Sequence, residues 1–151
     1  MLTPTQRGAG LLIVVGMLLL FGFLMLHQST NTGFFTDKFG LLEKFCLYVP
    51  IFVSLIAPIA RAVNGRQNPS RPFDAATSLA LAIGSFWLWL VFPFDFVHLG
   101  DFLPNLLHVV TALITNNIGK IILMLQWIAG PFTAVITMWK YFSNRQETIS
   151  V

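Results

Sequence analysis

The stretch that decides the fold is GAGLLIVVGMLLLFGFLML, residues 8–26, nineteen consecutive positions without a charge, with Gly16 and Gly22 inside the run. An α-helix rises about 1.5 Å per residue, so this run covers roughly 28 Å, close to the hydrocarbon thickness of a bilayer. It has no polar face, so it does not read as the surface helix of a globular domain. Arg7 followed by an apolar run also has the outline of a secretory signal. The run is long for such a signal, however, and no Ala-x-Ala site follows in His27, Gln28, Ser29 and Thr30. It is therefore expected to be an uncleaved first span.

Three further runs repeat the pattern downstream. Residues 45–60 form an expected second span with Pro50 and Pro58 inside it. Each proline frees a backbone carbonyl that a membrane helix tolerates only when neighbours or a local readjustment satisfy it, so a kinked helix is expected. Residues 75–94 are twenty uncharged positions, with Trp87 and Trp89 toward the far end and Pro93 then Asp95 as the stop. Residues 121–139 close with Trp139, Lys140 and Tyr141, aromatic and cationic anchors of the kind found at a membrane interface. The remaining tail, residues 143–151, reads as polar and irregular.

Between the runs lie polar connections. Residues 27–44 carry turn-formers and the pair Phe34 and Phe35, which are expected to dip into the interface. Residues 61–74 hold Asn64-Gly65, Asn68-Pro69 and Arg71-Pro72. Residues 102–117 are different: at 100° per residue, Phe102, Leu103, Leu106, Leu107, Val110, Leu113 and Ile114 share one face. Asn105, His108, Thr111, Thr115 and Asn116 share the other. That is an amphipathic helix, with Asp101 as N-cap and Gly119 just past its end, expected to lie in the interface plane. The alternative, a fifth short span, is disfavoured by length and by charge.

The composition agrees. Of 151 residues 56% are apolar and 10% charged, with a mean hydropathy of +0.75, a balance that leaves too little charge to cover a soluble domain. The expected fold is all-α: an integral membrane four-helix bundle with an additional interfacial helix between the third and fourth transmembrane helices. With both termini cytoplasmic, Arg7, Arg61, Arg66, Arg71, Lys140 and Arg145 lie inside and Lys38, Lys44 and Lys120 outside, which follows the positive-inside rule for a cell-membrane protein. The nine cations are scattered singly, so nucleic acid is not an expected partner. Cys46 is the single cysteine, which excludes an intramolecular disulfide and a cysteine-built zinc site.

Helices in lipid associate through small residues and hydrogen bonds. Ala76, Ala80 and Gly84 offer one such face. Gln126, Gly130, Thr133 and Thr137 fall on a second stripe, read either as helix packing or as a polar path for a solute. Gln126, an amide in mid-span, needs a partner, and Tyr48, Ser54, Ser78 and Ser85 are the candidates. At the outer end, His27, His98 and His108, with Asp95 and Asp101, have ligand types that suit a transition metal if the chain brings them together. No ionisable side chain stands inside the four runs, and no nucleophile has a base nearby in sequence, so catalysis has no visible carrier and no cofactor is expected. Three readings follow: a non-enzymatic scaffold or accessory subunit meeting lipid, other membrane subunits or itself; a small oligomeric channel or transporter; and a metal- or haem-dependent redox component.

Overall fold

The computed structural model describes residues 3–149; the side chains of Asn105, Leu106 and residues 145–149 lie outside the described set. So do Ser150 and Val151 of the expected tail, and so does the expected placing of Asn105 and Leu106 on opposite faces. Among the described residues five α-helices follow one another: α1 (Pro4–Thr30), α2 (Leu41–Asn64), α3 (Arg71–Val91), α4 (Asn105–Thr111) and α5 (Asn116–Ile149). Short 3-10 turns at Asn68–Ser70 and Phe96–Gly100 complete the helical structure. Four helices, α1, α2, α3 with its preceding turn, and α5, are long and apolar enough to cross a membrane.

The caps explain most of the boundaries. Thr3 Oγ1 accepts from the Gln6 amide while Gln6 Oε1 accepts from the Thr3 amide, a reciprocal box that starts α1, with Pro4 in the first turn. At the other end Asn31 takes a left-handed conformation, as does Gly65 after α2. α2 begins at Leu41, earlier than the apolar run, because Glu43 Oε2 accepts from the Gly40 amide and closes the first turn.

The four long helices stand antiparallel in the row α1, α2, α3, α5. Gly10 lies beside Pro58 and Gln28 meets Tyr48 across α1 and α2. Thr77 reaches the Val53 carbonyl and Arg61 pairs with Asp74 across α2 and α3. Ser85 bonds Gln126, and Gly130 lies against Ser78 and Ala82, across α3 and α5. Along α1 the sheltered positions Gly10, Val14, Met17, Phe21, Leu24 and Gln28 recur at alternating steps of four and three, a seam turned toward α2. Among the described residues the α1 and α5 backbones do not meet, which leaves the row open at that side.

α2 runs unbroken through Pro50 and Pro58. Pro50 cannot donate to the Cys46 carbonyl, and there α3 comes close: a Cβ built on Gly84 would overlap the Cys46 carbonyl oxygen. The small residue thus lets a neighbouring backbone lie against the carbonyl that the proline leaves free.

Several sequence expectations are corrected. Phe34 is not an interfacial side chain: it is 3% exposed and packs with Phe35, Phe94 and Phe96. The loops after α1 and α3 are zipped together there, through an isolated antiparallel bridge between Phe35 and Phe94 and hydrogen bonds from Thr36 N to Pro93 O and from Asp95 N to Phe34 O. The amphipathic segment is a seven-residue helix, not sixteen, because Pro104 resets its start; Asp101 instead follows the preceding 3-10 turn. Gly119 is no stop signal but sits inside α5, where its bare α-carbon leaves room for the Phe96 ring. α5 also continues through the supposed tail to Ile149.

Candidate functional site

The four long helices converge on a cavity of about 310 Å³ in the half of the molecule nearer the zipped loops. Its walls come from α1 (Leu20, Leu24), α2 (Ile51), α3 (Leu88) and α5 (Leu123), and Phe34, Phe94 and Phe96 contribute from the loop side. Pro50 of α2 also lines it, so the same proline-bearing turn against which α3 packs shapes one wall.

Two strongly hydrogen-bonding side chains, Ser85 and Gln126, and the free thiol of Cys46 interrupt this apolar surface. Ser85 Oγ donates to Gln126 Oε1 at 2.8 Å, so one of the four partners expected for the mid-span amide is the one used. The Gln126 amide nitrogen has no acceptor from the described protein, although the residue lines the cavity. Gln126 is exposed on α5 as well as lining the cavity, and an amide that meets hydrocarbon with its donors unpaired is costly.

The rest of the expected stripe is rotated relative to this contact. Gly130 is buried against Ser78 and Ala82, but Thr133 is exposed and donates to the Ala129 carbonyl of its own helix, while Thr137 is half-buried. The seam toward α3 runs instead through Leu123, Trp127, Gly130 and Ala134. Trp127 stacks edge-on against Phe86 and lies over Trp89, so the bulk of an indole, rather than hydroxyl groups, sets the helix rotation. On α3 the buried small residues are Ala75, Ala82, Gly84 and Ser85, while Ala76 is exposed.

The three histidines lie toward the same end of the helices but do not converge. His27 is 1% exposed, boxed by Phe23, Phe34 and Phe102, with Nδ1 2.7 Å from Thr32 Oγ1. His98 Nδ1 is 3.1 Å from Asp101 Oδ2 and its ring covers Gly33, whose positive φ and bare α-carbon admit it. His108 Nε2 is 2.9 Å from the Leu103 carbonyl. Asp95 is turned to the Val97 amide and to Asn116. Among the described residues no three His, Cys, Asp or Glu side chains come together as a metal would require.

Two polar contacts had no clear sequence signal. Glu43, 8% exposed, accepts from Trp87 Nε1 at 2.9 Å, tying the start of α2 to the end of α3. Arg61 Nη1 reaches both oxygens of Asp74, at 2.9 and 2.7 Å, and clamps the other end of the same helix pair. What these features define is an all-helical protein with four candidate membrane spans around a lateral apolar cavity. No family model, no curated protein and no solved structure matches the chain.

Proposed function

We propose that the protein is a multi-pass membrane protein of the cell membrane, with both termini cytoplasmic, that acts without catalysis as a scaffold or accessory subunit of a larger membrane assembly. The observation that carries this reading is the outer surface of the four long helices. Leu12, Leu19, Ile83 and Val135 are each about 70% exposed (73%, 70%, 69% and 68%), and like side chains continue along the length of each helix. Such a surface is stable only against lipid or another apolar protein face.

α1 supports the accessory role in particular. Among the described residues it packs on α2 alone of the long helices, and Gly8, Gly16 and Gly22 have open space beside their α-carbons, so most of its circumference is available to lipid or a partner helix. The short α4, with Leu107, Val109 and Val110 exposed, suits a position at the interface or against a partner's end. A solute path is less well supported, because Thr133 of the polar stripe is turned outward and bonded within its own helix.

Two measurements test the proposal. The chain is expected to stay with membranes after alkaline carbonate extraction; release into the supernatant would remove the membrane reading. Affinity purification in mild detergent is expected to recover stoichiometric membrane partners or a defined homo-oligomer, and a partner-free monomer would overturn the accessory role.

A further inference from the structure

We propose that the cavity between the four long helices binds an uncharged lipophilic molecule whose carbonyl oxygen accepts from the amide N–H groups of Gln126. The inference rests on the multi-pass membrane reading above and adds a ligand class to it.

Three observations converge. The wall is hydrocarbon except for the Cys46 thiol, a weak hydrogen-bonding group, and the Ser85–Gln126 pair, so the occupant is mostly apolar with one strong polar point. Ser85 Oγ donates to Gln126 Oε1, and the two amide hydrogens of Gln126 have no acceptor among the described residues, so that polar point is an acceptor. The α1 and α5 backbones stay apart while α1 and α5 both line the cavity, so the way in is from the side, and Phe34, Phe94 and Phe96 close the end toward the loops. A ligand therefore arrives from the bilayer.

Depth and size narrow the class. Gln126 lies six residues beyond Lys120 on α5, about 9 Å deeper along the helix. Lys120, whose ammonium sits 4.9 Å over the Phe92 ring, marks the level of the end of α3. A phospholipid's ester carbonyls stay with its charged headgroup at the interface, above that depth. A carbonyl on an uncharged head, such as a quinone or aryl ketone carried on a hydrocarbon tail, reaches it. A volume of about 310 Å³ is at the small end for ligand sites, enough for a ring and the first carbons of a tail whose remainder leaves between α1 and α5.

The test uses the full chain in phosphatidylcholine nanodiscs with 4-decylbenzophenone, whose ketone is both the acceptor and the photoreactive group. Irradiation is expected to give saturable adducts that map to cavity residues such as Leu20 and Leu123, displaced by decylbenzoquinone and not by decane. Gln126→Leu is expected to lower the adduct yield at sub-saturating probe by about three- to tenfold, the loss of one hydrogen bond. Leu123→Trp, which fills the cavity and keeps the amide, is expected to abolish the saturable component in a protein of unchanged helicity and elution volume. Adducts that rise linearly without saturation, equal yields from Gln126→Leu and the parent chain, or unchanged saturable labelling in Leu123→Trp would overturn the assignment. Displacement by decane as effective as by decylbenzoquinone would also overturn it, since a plain lipid chain would then be the occupant. If the chain enters nanodiscs but shows no saturable adduct, the cavity assignment fails alone; if it stays dispersed without lipid or detergent, the membrane reading fails first.

Discussion

Arg61 and Asp74 meet at the turn between α2 and α3, where each is partly sheltered and two short contacts fix the pair. A partly exposed pair of this kind contributes modestly and is weakened by salt. A double-mutant cycle with Arg61→Gln and Asp74→Asn, read from thermal unfolding in detergent, is expected to give a coupling of about 0.5–1 kcal/mol that shrinks in molar salt. A salt-independent coupling would point to packing rather than charge. Glu43 poses the opposite problem, a carboxylate with little exposure whose partner is an indole N–H 44 residues away. Trp87→Phe is expected to lower the unfolding midpoint more than Trp89→Phe, because Trp87 is the one that donates to Glu43; equal shifts would show that ring volume alone matters. The Gln126 partner was legible because a mid-span amide demands one and Ser85 was among few candidates. The Glu43 contact was not, since a carboxylate beside a polar loop reads as a solvated residue.

The elements themselves were legible where hydropathy alone decides them, and less so where packing does. All four long helices were visible as uncharged runs, but their ends were set by caps outside those runs: Thr3 with Gln6, and Gly40 with Glu43. The rotation of α5 was misread because its small and hydroxyl residues form one stripe while the observed seam, through Trp127 and Ala134, is displaced from it and shares Gly130. Hydroxyls can bond their own helix, as Thr133 does, and so do not compel a partner. Gly84 carries the sharpest consequence at this scale. A side chain there meets the Cys46 carbonyl that Pro50 leaves unpaired, whereas one at Gly16 meets nothing within 4 Å. Gly84→Leu is therefore expected to destabilise the fold by about 1–3 kcal/mol, typical of overpacking at a close contact. Gly16→Leu is expected to stay within about 0.5 kcal/mol. Equal costs at the two positions would mean that α2 and α3 can separate without penalty.

At the scale of the whole molecule, four antiparallel helices in an open row place successive connections at opposite ends. Residues 32–40 and residues 92–115 share one end; the turn at 65–70, the start of α1 and the end of α5 share the other. If each long helix crosses once, Lys38 and Arg66 face opposite sides of the membrane, and the surplus of Arg and Lys at the Arg66 end is what supports the proposed cytoplasmic placing of that end. A fifth crossing by α4 is poorly matched to its seven residues, about 10 Å of helix, well short of the hydrocarbon thickness. With Cys46→Ser as background, single cysteines from Lys38→Cys and Arg66→Cys can be offered a membrane-impermeant maleimide on intact cells. Lys38→Cys is expected to react at once and Arg66→Cys only after the membrane is permeabilised. Adding Ser143→Cys near the end of α5 separates four crossings from five, because it is expected to behave like Arg66→Cys. Labelling of Ser143→Cys on intact cells, with Arg66→Cys still protected, would require a further crossing between α3 and α5 and would break the antiparallel row as a description of the protein in its membrane.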